Sequence, residues 1–144
     1  MKIAIASDHG GFALKEQMKK HLAEKGYEVK DFGPASEASC DYPVFAKPAA
    51  RAVADGECDK GIVICTTGIG VSICANKVKG IRCALCSDSM TAKLTRLHND
   101  ANVLAIGAGV TGPLLATEIA DTFLETAFSG EERHARRISL IEEL

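Results

Sequence analysis

No stretch of this sequence approaches the roughly 20 consecutive apolar residues that a bilayer-spanning helix needs, so no helical membrane span is expected. Positive charge is not in excess either: 17 Lys and Arg stand against 19 Asp and Glu, a net charge of −2, and the bulk count carries no nucleic-acid footprint. Nothing resembling a charged-then-apolar leader precedes the strand-like segment Lys2–Ser7, and a cytoplasmic protein is expected. There is no internal repeat, low-complexity tract or linker. The six cysteines (Cys40, Cys58, Cys65, Cys74, Cys83, Cys86) lack the spacing of a small secreted disulfide framework, and reduced thiols are expected. Cys83-Ala84-Leu85-Cys86 matches C-x-x-C, but it overlaps a strand-like run and has no second pair to complete a zinc site. Buried, small apolar side chains are the simpler reading of these two cysteines.

With 47% apolar and 25% charged residues, the composition is that of an ordinary globular protein. The length fits one domain over residues 1–144, large enough to bury a core. Along the chain, strand-like and helix-like segments alternate five times. Ile3 to Ala6 is a short apolar strand. Leu14, Met18 and Leu22 form the stripe of an amphipathic helix that Gly26 ends, with Lys15, Lys19 and Lys20 mostly off that stripe. Tyr27 to Phe32 is a second strand, and Gly33 to Asp41 a polar loop. Phe45 to Ala54 is an alanine-rich helix whose first turns Pro48 should distort. Gly61 to Cys65, Ile81 to Leu85 and Asn102 to Ile106 supply three more strands. A short helix runs to Asn76, a helix capped by Ser87 or Asp88 runs to His98, Gly112-Pro113 opens another, and a last one carries Arg133, Arg137 and Ile141.

Strands alternating with helices imply a parallel sheet with helices on both faces. In such sheets ligands bind at the carboxyl ends of strands, near the point where strand order reverses. With the common order 2-1-3-4-5, that point lies between the first and third strands. Asp8-His9-Gly10-Gly11 follows the first and Cys65-Thr66-Thr67-Gly68-Ile69-Gly70 the third, so two polar, glycine-containing turns face one crevice.

Glycines at a strand-to-helix turn let backbone N–H groups approach a phosphate or a transient oxyanion. A cysteine there feels the same field, which favours its thiolate. Gly68 and Gly70 are equally what a tight turn requires, and Cys65 is equally the end of a buried strand. Rival motifs fail: Val71 stands where a cysteine-phosphatase loop needs arginine, and no Gly-Lys-Ser/Thr is present. Gly107-Ala108-Gly109-Val110-Thr111-Gly112 fits G-x-G-x-x-G, but it follows the last strand, so no βαβ unit follows it with a ribose-binding acid. A receiver-type signalling domain would need an aspartate where Cys65 stands. His98 and Asn99 lie at a helix end, where an imidazole can move protons or simply sit at the C-terminal dipole. Arg133 and Arg137, at i, i+4, form either a phosphate clamp or a solvated face paired with Glu131 or Glu132. Tyr42 either reaches a ligand or packs. Asp8 either orients a hydroxyl or caps the next helix.

Taken in order, "SDHGG", "DYP", "CTTGIG", "ANKVKGIR", "RLHNDANVLAIG" and "ERHARR" resemble the type B ribose-5-phosphate isomerases and the related galactose- and allose-6-phosphate isomerases, over essentially the whole chain. The resemblance implies a Rossmann-like three-layer α/β sandwich with a five-stranded parallel sheet. It implies a homodimer, possibly a tetramer, with active sites at the subunit interface, and neither a metal nor an organic cofactor. It implies aldose–ketose isomerisation of ribose 5-phosphate to ribulose 5-phosphate, with a hexose 6-phosphate isomerase or a non-catalytic phosphosugar-binding protein as alternatives. By the same resemblance Cys65 is the base, Thr67 assists at the sugar oxygens and His98 opens the ring. The backbone of Thr66, Gly68, Ile69 and Gly70 holds the enediolate. Asp8 and Asn99 contact sugar oxygens, Tyr42 lies near the ring, and His9, Arg133 and Arg137 hold the phosphate. Two positions depart from the family pattern: many members have glycine where Thr66 stands and arginine where Gly109 stands.

Overall fold

In the computed structural model, which describes residues 1–144, the strands are β1 (Lys2–Ser7), β2 (Glu28–Asp31), β3 (Lys60–Cys65), β4 (Cys83–Leu85) and β5 (Val103–Gly107). The helices are α1 (Phe12–Glu24), α2 (Tyr42–Ala54), α3 (Ile69–Asn76), α4 (Ser89–Asn99), α5 (Pro113–Glu125) and α6 (Glu132–Glu142). All strand pairs are parallel, in the order β2-β1-β3-β5-β4. The expected order 2-1-3-4-5 therefore fails at its end, because β5 inserts between β3 and β4. The reversal between β1 and β3 stands, and right-handed crossovers add a second one between β3 and β5. The turn after β3 is thus flanked by a crevice on each side.

Two cores fill the sandwich. On one face Ile3, Ile5, Ile62, Ile64, Leu104 and Ile106 meet α1, α4 and α5, with Met18, Leu22 and Phe123 fully buried among them. On the other face the strands present Ala4, Ala6, Val63, Cys65, Val103 and Ala105 to α2 and α3. Small side chains on both sides of that second layer, including Ala46, Ala49 and Ala50 of α2, let the helices lie close to the sheet. Burying each large aliphatic side chain contributes about 1.5–3 kcal/mol, so the isoleucine-rich face carries more of the hydrophobic stabilisation.

Three local features differ from the sequence-based expectation. Helix α2 starts at Tyr42, not Phe45: Pro43 fits the first turn, where a missing N–H costs nothing, and the helix continues past Pro48 to Ala54. Strand β4 starts at Cys83, because the Ile81 N–H turns back to the Val78 carbonyl (3.1 Å) and the Arg82 N–H donates to Asn102 Oδ1 (2.9 Å). Lys15, placed off the apolar stripe, is fully buried. Its ammonium meets Asp31 at 2.8 Å and Glu16 at 2.9 Å, which fastens α1 to the end of β2. Asp88 caps α4 as expected, accepting the Thr91 N–H at 2.7 Å.

Candidate active site

Cys65 ends β3 opposite Gly107 of β5. It is 5% exposed and belongs to the small-residue core, yet its sulfur accepts the Gly68 N–H at 3.1 Å. That contact needs the left-handed backbone of Gly68 (φ +77°), which favours glycine. A β-carbon there would also stand 2.8 Å from the Ile106 carbonyl carbon. Thr67 Oγ1 accepts the Ile69 N–H at 3.2 Å, and both threonines of the turn are exposed. The turn therefore presents a thiol, two hydroxyls and side-chain-free backbone at the start of α3.

The loop after β1 closes against this turn. The Asp8 N–H donates to the Ile64 carbonyl at 3.1 Å, and Asp8 Oδ1 accepts the Gly11 N–H at 3.0 Å, which closes the turn before α1, whose N-cap is Gly11 and not Asp8. A β-carbon on Gly10 would lie 2.3 Å from Thr66 Oγ1 and 3.4 Å from Asp8 Oδ1. Only glycine lets the two loops approach so closely, and the Thr66 hydroxyl and Asp8 carboxylate flank the same point. His9 Nδ1 accepts the Cys40 backbone N–H at 3.3 Å. An acceptor Nδ1 places the neutral ring's hydrogen on Nε2, which is left to serve as a donor. The Tyr42 ring covers Gly70, 2.7 Å from where a β-carbon would be. Asp8, His9, Tyr42 and the run Cys65–Gly70 thus gather at the carboxyl ends of the strands.

The remaining expected residues gather at the opposite end. Asn99 closes α4, and its carbonyl accepts from Arg82 Nε at 2.8 Å, just before β4 begins. The chain then enters β5 past Asn102, whose carbonyl accepts the Gly61 N–H at 3.0 Å. Gly61 and Cys65 are four residue steps apart along β3, a rise of about 13 Å. His98, on the last turn of α4, stacks on His134 of α6 with centroids 4.5 Å apart and planes at 17°. Helix α6 also carries Arg133, which pairs with Glu131 at 2.9 Å, and Arg137. The expected site residues therefore fall into two groups, with His98, Asn99, Arg133 and Arg137 at the end of the sheet away from Cys65.

Cys40 and His134 are not singled out for the site by the sequence. Cys40 sits in a loop with no periodicity, and its part is played by its backbone. His134 was masked by the more conspicuous arginines beside it. It is 5% exposed, and its Nε2 has no hydrogen-bond partner. Burial pushes its imidazole below the ordinary value, and neighbouring His98 adds to the push. No group of three or more His, Cys, Asp or Glu gathers in a way that could hold a metal ion.

Residues 3–141 match the family model described as Ribose/Galactose Isomerase. The chain belongs to that family. It is 49% identical to ribose-5-phosphate isomerase B of Escherichia coli over 97% of this chain and 93% of that protein. It is 41% identical to the galactose-6-phosphate isomerase subunit LacB of Clostridium acetobutylicum, over 100% of this chain and 83% of that one. The solved structure of ribose-5-phosphate isomerase B from Clostridium thermocellum superposes with a TM-score of 0.97 at 54% identity, covering 99% of this chain and 96% of that one. The α/β fold is therefore that of the type B isomerases, as the resemblance implied.

Proposed function

We propose that residues 1–144 act as one sugar-phosphate isomerase domain that interconverts ribose 5-phosphate and ribulose 5-phosphate in the cytoplasm. The observation that carries this reading is the Cys65 sulfur receiving the Gly68 N–H on a glycine turn at the mouth of the β1–β3 crevice. The similarity to the Escherichia coli enzyme supports the substrate, and no helix is long and apolar enough to cross a membrane. The Cys65 thiolate takes the proton from C2 of the open-chain aldose. The C–H electron pair forms the C1–C2 double bond, and the carbonyl electrons pass to O1. Amides of Thr66 to Gly70 receive that negative oxygen, a contribution of about 3 kcal/mol for each well-aimed donor. The thiol returns its proton to C1 while Thr67 assists transfer of the hydroxyl proton from O2 to O1. His9 anchors the phosphate, Asp8 holds a sugar hydroxyl, and the Tyr42 ring borders the sugar.

Ring opening by His98, the Asn99 contact and the Arg133–Arg137 clamp must come from a second copy. A two-fold axis across the strands brings the amino-end cluster of one subunit to the carboxyl-end turn of another. The edge formed by α3, β4 and α4 suits that pairing: Ile69, Leu85, Met90 and Leu94 are 52%, 43%, 63% and 37% exposed there. Mixing a Cys65→Ala protein with a His98→Asn protein after co-refolding checks the arrangement. A shared site restores about a quarter of wild-type activity, since half the dimers are mixed and each has one intact site; a self-contained site restores none.

A second reading, a hexose 6-phosphate substrate, is favoured by the missing side chain at Gly109 and by the similarity to the galactose-6-phosphate isomerase subunit. Ketose formation from ribose, allose and galactose phosphates decides between them. Highest kcat/KM on ribose 5-phosphate is expected. A higher value on a six-carbon substrate replaces the first reading with the second, and turnover of none leaves a binding protein.

A further inference from the structure

The helices α2 and α3 lie side by side on one face of the sheet and enclose a groove of about 660 Å³, within the range of small-molecule sites. It starts at Tyr42 and Gly70 and runs down to Asp55 and Lys79, about 18 Å along α2. Its two halves differ in chemistry. The upper half is flat and apolar, with Tyr42, Pro43 and Ile73. The lower half is cationic, with Lys47 and Arg51 one turn apart on α2, facing Lys77 and Lys79 at the end of α3, against the single carboxylate of Asp55.

That concentration of charge runs against the chain's net charge of −2. Eight of its 17 Lys and Arg side chains are held in ion pairs. Of the nine that are not, four line this one groove. Lys47 of α2 and Cys74 of α3 line the groove from its two sides. Four cations, two on α2 and two in the turn after α3, none of them in an ion pair, make a receptor for a polyanion. An apolar shelf ending in an aromatic ring takes a planar heterocycle.

We propose that this groove is a nucleoside polyphosphate site that adjoins the Cys65 crevice at Tyr42 and Gly70. The base lies against Tyr42, Pro43 and Ile73, and the phosphates lie between Lys47, Arg51, Lys77 and Lys79. The inference does not depend on the isomerase reading, because none of the four cations belongs to that machinery.

Titration calorimetry of the full chain at low salt tests it, with ADP, adenosine and inorganic pyrophosphate as probes. ADP is expected to bind, pyrophosphate at least tenfold more weakly, and adenosine not measurably. A Lys47→Glu/Lys77→Glu protein should lose at least tenfold in ADP affinity while its kcat/KM on sugar phosphate stays at the wild-type value, which shows that it is folded. The proposal is overturned if ADP does not bind, if pyrophosphate binds as well as ADP, or if the double variant binds ADP normally.

Discussion

The methyl group of Thr66 stands against the backbone of Gly109: a β-carbon built on Gly109 would lie 3.0 Å from Thr66 Cγ2 and 3.1 Å from the Thr66 carbonyl oxygen. The two departures from the family pattern are therefore one contact. A threonine at 66 fills the space in which a side chain at 109 would start, and glycine at 109 makes room for the threonine. A double-mutant cycle reads this directly. Gly109→Ala is expected to cost about 1 kcal/mol more in the Thr66 background than in a Thr66→Gly background, measured by urea unfolding. Additive effects would show that the two positions do not interact.

The His98–His134 stack gives stability an acid limb. The His134 pKa is lowered by burial and by His98, with Arg133 and Arg137 acting the same way and Glu131 opposing. The unfolded chain therefore takes up this proton first as pH falls. The associated stability is fully present above the unfolded value of about 6.5 and is lost as pH falls through the lower folded value. His134→Phe keeps an aromatic ring over His98 and removes the titration. Its melting temperature should fall less than that of wild type between about pH 7 and pH 5. Parallel curves would remove His134 as the source.

The Lys15–Asp31 pair concerns the fold alone. Burial by itself would raise the Asp31 carboxyl, but hydrogen bonds from Lys15, Lys19 and the Gly33 N–H hold it below its ordinary value. Removing Asp31 leaves a fully buried ammonium with only Glu16 beside it. Asp31→Ala should cost about 3 kcal/mol, and adding Lys15→Met should recover most of that loss in the same unfolding assay. A double variant no more stable than Asp31→Ala would mean that the buried charge is not what costs stability.

Cys83 bears on the C-x-x-C match. Burial pushes its thiol far above the ordinary value, with Cys86 and Cys74 adding to the shift. In native protein at neutral pH, iodoacetamide should leave Cys83 unmodified while it labels in denaturant, as mass spectrometry of digests would show. Cys86 is buried as expected but Cys83 is only partly buried, and native labelling at Cys83 would contradict the inert reading.

What could be read in advance was local. Helix stripes, the Asp88 cap and the glycine turns depend on neighbours in sequence, and they stand; the β1–β3 crevice stands because that part of the common strand order holds. What could not be read depends on partners distant in sequence. The insertion of β5 beside β3 is decided by packing Val103–Gly107 against Gly61–Cys65, and nothing in either segment distinguishes this from the commoner order. Lys15 looked solvent-facing because its carboxylate partner comes from β2. The remoteness of His98 and the arginines from Cys65 follows from helix direction: a helix that returns from the carboxyl end of a strand ends at the amino end. The resemblance implied a site at a subunit interface, and the fold of a single chain sets these residues apart.

Isotope exchange at the sugar carbons bears most directly on Cys65. In D2O, wild-type protein and Cys65→Ala would be compared for ribose 5-phosphate turnover and for deuterium entering C1 of ribulose 5-phosphate. Loss of both by about a thousandfold, with ribose 5-phosphate still bound in calorimetry, is the expected result. Turnover and deuterium incorporation at the wild-type rate in Cys65→Ala would contradict the assignment of the sulfur as base.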